Sequence, residues 1–462
     1  MKLKNILFQA CALAGGTIIL SSCNDFLDRE PLSSVTPEVY FSTTDHFEAY
    51  SIAKYNNWFS SHAGYGMGIG NGDGGTDNAV SGGYNSTLYE KGAWKVPQSG
   101  GGWSFNDIRY CNYFFENAVP KYEAGQVSGS AADIEHYIGE MHFMRAWIYF
   151  SYLRKVGDYP IITEVLPDDK AVLMEKSVRQ PRNLVARFIL EDLDKAISML
   201  KGWGFASNNR INKETALLVK SRVALYEATF EKYHKGTGRV PGDANWPGKK
   251  VHPNFTLDVD KEVDFFLTQA LEAAEQVADK VTLTQNTGVA DPETISTTSG
   301  WNPYFEMFAS LDLSKNSEVL LWRSYAKTGS YSITHGAPAW VQSGSNNGLL
   351  KTYVESFLMK DGMPWYAATT SAPYMGDKTL DDVKTNRDDR LQLFVFSESN
   401  FLPVHSQQTA GTVQYFMPHP VSNRQEMQDR TGYRLRKYAR SEEHTSELQS
   451  HHDLVCRLLL EK

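Results

Sequence analysis

Apolar residues recur at helical spacing through most of the first 285 residues of the chain. This spacing predicts helices over residues 44–59, 106–119, 131–156, 184–200, 213–232 and 261–280. The longest of them carries two apolar stripes, one with Tyr137 and Met141 and the other with Ile138 and Phe150. Two stripes indicate burial on both sides, so the pattern predicts helices stacked in an array.

The predicted helices pair in a way that resembles tetratricopeptide units, although a strict repeat of about 34 residues is not visible. After residue 285 the pattern changes to loops, isolated helices and short strand-like runs such as residues 318–322. We therefore expect a mainly α protein. Its tetratricopeptide-like helical-repeat scaffold would form an α-α superhelix, and a loop-rich part with short strands would follow it.

The two ends of the chain predict processing and truncation. Residues 1–22 have two lysines, an apolar run and small residues before Cys23, which is typical of a bacterial lipoprotein signal cut before a lipid-carrying cysteine. Residues 441–462 resemble a translated sequencing adapter, so we treat them as an artefact and expect a natural chain truncated near Arg440. Between them we place an N-terminal region at 23–285 and a loop-rich region at 286–440.

Composition excludes some classes of function. The net charge is -8 and no basic block is present, so we expect no nucleic-acid partner. Of four cysteines, Cys11, Cys23 and Cys456 lie in the processed ends, and Cys111 alone cannot form an intramolecular disulfide. Aromatic residues make up 12% of the chain, more than a core usually needs, which favours an aromatic binding face.

A series of motifs spread over almost the whole chain resembles one family. The most recognisable are Cys23-Asn24-Asp25-Phe26-Leu27-Asp28 and the stretch from Gly139-Glu140-Met141 to Gly157-Asp158-Tyr159-Pro160. The others, in chain order, are Trp103 with residues 108–112, then 192–196, 210–213, 225–228, 318–323, 359–362 and 386–390. Together they resemble the SusD/RagB family of outer-membrane nutrient-binding lipoproteins as far as Tyr438, after which that family's final helices and loops are absent.

The resemblance implies a surface-exposed lipoprotein anchored to the outer membrane through lipid on Cys23. It also implies a glycan ligand, a SusC-like TonB-dependent transporter as partner, and neither catalytic activity nor a cofactor. Asp25, two residues after the lipidated cysteine, suits a surface-export signal. Most motif residues read as structural, and we expect Glu140 and Arg145 to form a buried or helix-surface pair rather than to contact ligand.

Sugar recognition needs flat apolar faces for the rings and amides or carboxylates for the hydroxyl groups. The loop 64–106 and the segment 299–340 supply both kinds of residue. The candidate ligand-binding residues are Asp73, Asp77, Asn78, Trp94, Trp103, Asn106, Trp301 and Tyr325. For each of the tryptophans, packing inside the protein is the alternative role.

Other functions have weaker support in the sequence. Ser324-Tyr325-Ala326-Lys327 and Lys327-Thr328-Gly329 match two motifs of penicillin-recognising enzymes, but those motifs use separate lysines and here they share one. Asp73 and Asp77 lack the spacing of an EF-hand, and no clustered Cys/His metal motif is present. A lid for peptides or other nutrients, or a surface glycoside hydrolase with two carboxylates, remain the alternative hypotheses.

Overall fold

We analysed a computed structural model of the chain. It describes residues 40–59, 73–80, 87, 90–95, 104–293, 300–310, 312–325, 341, 343–401, 415–423 and 427–437. None of the helices in these ranges is both long enough and apolar enough to cross a membrane. The predicted signal, Cys23 and the tail 441–462 lie outside the described residues.

The described part of the chain is mainly helical, as predicted. The helices of the first half are α1 (Thr44–Ile52), α2 (Tyr55–Trp58), α3 (Asn106–Asn117), α4 (Val119–Glu123), α5 (Ala131–Val156), α6 (Lys170–Lys176), α7 (Arg182–Met199), α8 (Lys213–His234) and α9 (Val259–Ala278). Those of the second half are α10 (Pro303–Met307), α11 (Lys351–Ser356), α12 (Leu380–Lys384) and α13 (Asp389–Phe394). Short 3-10 turns occupy Phe205–Asn208, Pro247–Lys250 and Trp365–Ala367. The helix predicted over 44–59 is divided into α1 and α2.

The long helices pack on one another in chain order. Helix α5 contacts α7, α7 contacts α8, and α8 contacts α9, while α1 and α3 lie against α5. Arg182 at the start of α7 binds Glu227 near the end of α8, and Lys235 just after α8 binds Asp260 at the start of α9, so these neighbours run antiparallel. This is the expected tetratricopeptide-like arrangement, in which each helix buries its apolar face mainly on its sequence neighbours.

Helix α5 is the centre of the scaffold and its ends follow from local chemistry. The Ser130 side chain accepts a hydrogen bond from the backbone N–H of Asp133, which caps the first turn. At the other end, Gly157 adopts φ 73°, a left-handed conformation that glycine takes without strain. Both predicted apolar stripes of α5 are buried, as the sequence pattern predicted.

Gly139 sets the distance between α5 and α7. A Cβ atom at this position would lie 3.1 Å from Cβ of Met199 and 3.2 Å from Cγ of Leu200. The absence of a side chain therefore lets the two helices approach closely, and the surrounding core has no space for a larger residue.

A buried ionic group ties α1, α2 and α5 to the segment before α8. Arg210 donates through Nε and Nη2 to the two carboxylate oxygens of Glu140, at 2.9 and 2.5 Å. The hydroxyl of Tyr55 and Nε2 of His136 also donate to Glu140. His136 carries its proton on Nε2, because its Nδ1 accepts the backbone N–H of Lys201. Burial alone raises the pKa of Glu140, but the hydrogen bonds from His136 and Arg210 outweigh it and hold the pKa at about 2.

Arg145 has a different partner from the predicted one. Its Nε and Nη2 donate to the carboxylate of Asp192 on α7, at 2.7 and 2.8 Å, and its Nη1 donates to Asn112 on α3. The expected pairing of Glu140 with Arg145 is therefore wrong, although both residues are buried and ion-paired. They are five positions apart on one helix, so they do not share a face, and each binds a residue of a neighbouring element.

Three carboxyl groups meet where α7, α8 and α9 pack together. Glu227 binds Arg182 through two hydrogen bonds of 2.7 Å, and Glu262 binds Arg187 at 2.7 and 2.6 Å. Glu231 is fully buried beside them, and no cation among the described residues forms an ion pair with its carboxylate. Burial, and then the charges of Glu227 and Glu262, raise the pKa of Glu231 to about 9.

Two short strands pair antiparallel: β1 (Ala79–Val80) lies in the N-terminal region and β2 (Gly348–Leu349) in the loop-rich part. The run 318–322 was expected to be strand-like, and this expectation is wrong. Its backbone bonds to the scaffold instead: Leu320 O accepts from the Asn212 side chain, and the Trp322 N–H donates to Asn208 O. In a sheet, these backbone groups would bond to a neighbouring strand. Here they bond to the helical scaffold and fix the loop-rich part against it.

Candidate functional site

The residues Asp73, Asp77 and Asn78 lie on a tight turn that precedes β1. The backbone N–H and the hydroxyl of Thr76 both donate to Asp73 O, and Asn78 Nδ2 donates to the Asp73 carboxylate at 3.3 Å. The turn is hydrogen-bonded to the second half of the chain, because Asn78 O accepts the backbone N–H of Leu350 at 2.9 Å. Its carboxylates and amide thus stand on a fixed backbone at the surface, where they can bind the hydroxyl groups of a ligand.

Trp94 is the most exposed of the described candidate aromatic residues, with 69% of its surface accessible. Asn106 is also exposed and begins α3, where its backbone N–H points to the Ser104 hydroxyl at 3.4 Å. Trp103 lies outside the described residues. The exposure of Trp94 suits stacking of its ring on a sugar.

Trp301 and Tyr325 lie deeper in the protein. Trp301 is half-buried, with its ring centre 4.9 Å from that of Phe305 and 5.8 Å from the guanidinium of Arg436. Tyr325 is 7% exposed and follows Arg323, whose Nη2 donates to Asn56 on α2. Both rings pack within the protein in this structure, and their predicted contact with a ligand stays a prediction.

Among the predicted residues that the structure describes, direct contacts join Asp73 to Asn78. The hydrogen bonding that holds this turn continues from β1 to β2, and from β2 to the segment 428–434. There Leu349 donates to Tyr433 O, and Arg434 binds the Asp429 carboxylate at 2.7 and 2.6 Å. The buried Asp429–Arg434 pair therefore supports the backbone on which the turn stands.

The sequence analysis missed a second aromatic group. Trp365, Tyr366 and Tyr374 lie close together after the Met359–Gly362 motif, and Tyr366 is 76% exposed. The adjacent pair Trp365-Tyr366 after Pro364 is the signal that could have identified it, because an aromatic pair in a turn has little core to fill.

In the ranges that the structure describes, no three His, Cys, Asp or Glu side chains are grouped so as to hold a metal ion. The turn Asp73–Asn78 instead offers hydrogen-bonding groups, and Trp94, later in the chain, offers an exposed ring. Chemically, that combination suits a neutral ligand with an apolar face and many hydroxyl groups.

Comparisons with known proteins agree with the motifs. The model of the SusD family matches residues 308–458. No curated protein matches the chain. A SusD-like protein from Bacteroides fragilis NCTC 9343 is 18% identical with a TM-score of 0.56, over 88% of this chain and 71% of that one. A SusD-like carbohydrate-binding protein from the same strain is 16% identical with a TM-score of 0.53, over 87% and 69%.

The two solved structures establish the fold that this chain shares with SusD-like proteins. The family match begins in the loop-rich part and runs past Arg440, and the adapter origin of residues 441–462 stays a prediction. A fold shared with SusD-like structures and a family match over residues 308–458 give one conclusion: the chain has the fold of SusD-like proteins, and its loop-rich part is similar to the SusD family.

Proposed function

We propose that this protein is a surface lipoprotein that binds glycans and delivers them to a SusC-like TonB-dependent transporter in the outer membrane. The observation that carries the proposal is the exposed ring of Trp94, in a stretch that follows the fixed polar turn Asp73–Asn78. The match of residues 308–458 to the SusD family adds to it, and one of the solved structures with this fold is described as carbohydrate-binding.

In this mechanism the protein captures and releases its ligand without breaking a bond. Stacking of a pyranose ring on Trp94 supplies affinity, and hydrogen bonds to the turn select among hydroxyl patterns. The lipid on Cys23 keeps the protein at the outer membrane, where it raises the local concentration of glycan over the transporter. Closing of the protein over the transporter commits the glycan to uptake.

The test is affinity electrophoresis of the purified protein in gels that contain laminarin, xyloglucan, amylopectin or pectic galactan. We expect the wild-type protein to be retarded by at least one of them, and Trp94→Ala to bind that polysaccharide about tenfold more weakly. Tyr233→Ala is the matched control, because Tyr233 is 73% exposed on α8, away from the candidate residues in sequence.

Each alternative hypothesis predicts a different result. Retardation by none of the polysaccharides, together with binding of oligopeptides in calorimetry, would favour a lid for peptides. Release of reducing ends from the bound polysaccharide would favour a glycoside hydrolase. Equal binding by the wild-type protein and Trp94→Ala would remove Trp94 from the site.

A further inference from the structure

The segment 358–375 exposes an unusual set of large apolar side chains. Tyr366 is 76% exposed and Met375 is 52% exposed, while Leu358 and Met363 are each more than 40% exposed. Trp365 and Tyr374 are half-buried in the same segment. A set of this size within one short segment marks a binding surface rather than scattered exposure. We call it the 365–374 platform, after its first and last aromatic residues.

Backbone hydrogen bonds hold the segment in place. Met359 N–H donates to Met363 O at 2.8 Å around Gly362, which adopts φ 81°, and Lys360 N–H donates to Asn386 O at 2.8 Å. Farther along, the Asn386 side chain donates to Pro373 O at 2.9 Å. The exposed rings therefore stand on a fixed frame at both ends, and a ligand would not have to order them.

The side chain of Arg387 fixes the same frame from below. Arg387 is 1% exposed, and its Nη2 donates to the backbone oxygens of Val354 at 2.9 Å and Phe357 at 2.6 Å. Its guanidinium lies 6.0 Å from the ring centre of Tyr374. The buried cation thus joins α11 to the platform and supports the inner ring of the aromatic group.

The three rings form a corner with polar groups next to it. The ring centres of Trp365 and Tyr366 are 5.9 Å apart with an angle of 84° between the planes, and those of Trp365 and Tyr374 are 5.3 Å apart. Asp361, in the same segment, is held in place, because its carboxylate accepts the Met363 N–H and the Thr369 hydroxyl. A flat ring face adjacent to a held carboxylate and hydroxyls is what a sugar ring requires.

We propose that the 365–374 platform is a second sugar-binding surface, on which Tyr366 stacks against a pyranose ring of the captured glycan. This inference rests on the proposed glycan function and adds a contact to it. Asp361 and Thr369 bind hydroxyl groups at the edge of the same ring. The ligand class is a neutral oligosaccharide or polysaccharide long enough to contact more than one surface of the protein.

The platform is connected to the Asp73–Asn78 turn through α11. Leu350, which donates to Asn78 O, directly precedes Lys351, and Lys351 Nζ lies 3.1 Å from the carboxylate of Asp377, three residues after Tyr374. Two contacts therefore lead from the turn to the platform. This continuity favours a single extended glycan as the ligand, because the turn and the platform are both held by the residues at the start of α11.

The experiment compares Tyr366→Ala, Tyr366→Phe and Tyr233→Ala in affinity gels with the polysaccharide that retards the wild-type protein. We expect Tyr366→Ala to bind about tenfold more weakly, and Tyr366→Phe, which keeps the ring face, to bind like the wild-type protein. The control Tyr233→Ala should also bind normally. Urea unfolding of each variant checks that the exposed substitutions leave the fold intact.

The outcomes separate the two proposals. Retardation of the wild-type protein with unchanged binding by Tyr366→Ala overturns the second surface and leaves the proposed function standing. No retardation of the wild-type protein by any of the four polysaccharides overturns the proposed function, and the second surface with it. Normal glycan binding by Tyr366→Ala, combined with loss of co-purification with the transporter, would instead assign the platform to a protein partner.

Discussion

Replacing Glu231 with glutamine should stabilise the scaffold at neutral pH. Two guanidinium groups, of Arg182 and Arg187, already bind Glu227 and Glu262, so a third buried carboxylate at Glu231 would have no counter-charge. The pKa of Glu231 is accordingly raised to about 9 by burial and by its two acidic neighbours. The folded protein thus keeps Glu231 protonated, whereas the unfolded chain ionises it near pH 4.5.

The magnitude follows from proton linkage. Because the folded state binds the extra proton, the stability associated with Glu231 is complete below pH 4.5 and is lost as the pH rises from 4.5 through about 9. Each pH unit in this window lowers the free energy of unfolding by about 1.4 kcal/mol for one proton. At pH 7.5 the loss reaches at most about 4 kcal/mol, which Glu231→Gln should recover.

The assay is urea unfolding followed by circular dichroism at intervals from pH 5 to pH 9. We expect Glu231→Gln and the wild-type protein to be nearly equal at pH 5 and to diverge steadily as the pH rises. Glu275→Gln on the exposed face of α9 is the matched control, and should change the stability by less than about 0.5 kcal/mol at any pH. A difference between Glu231→Gln and wild type that does not vary with pH would refute the reasoning.

Two further predictions concern the buried ionic group and the anchor. Glu140→Gln removes the buried counter-charge of the Arg210 guanidinium and leaves it only the partly exposed Glu48. It should lower the free energy of unfolding by about 3–5 kcal/mol in urea titrations. Cys23→Ala removes the proposed lipidation site and should move the protein from the membrane fraction to the soluble fraction. If the variant still sediments with membranes, the anchor lies elsewhere in the chain.

The helices were largely predictable because their signals are local. The predicted bounds of α5 agree with the structure, since Ser130 and Gly157 mark both ends and the apolar period between them is uninterrupted. The prediction for residues 318–322 was wrong for the opposite reason. Val319 and Leu320 have strand-forming neighbours in sequence, but their conformation is decided by contacts with the distant scaffold.

The candidate site could be predicted only in part. Residue type identified Asp73, Asn78 and Trp94 as groups suited to sugar, and the structure places them at the surface. Residue type could not show that Tyr325 is buried, nor that Tyr366 is exposed, because exposure depends on which segments pack together. The binding role of these residues stays a prediction until the variants are measured.

The pairing of β1 with β2 has a consequence for the order of assembly. Each of the long helices α5, α7, α8 and α9 contacts the next one in this series, so they can form while the chain is still being made from its N-terminus. The turn at Asp73–Asn78 cannot be fixed at that stage, because its partners, Gly348 and Leu349, are made much later. A chain that ended before them would keep its helical stack, but the turn would lack the strand that holds it. The capacity to recognise a ligand would therefore arise last.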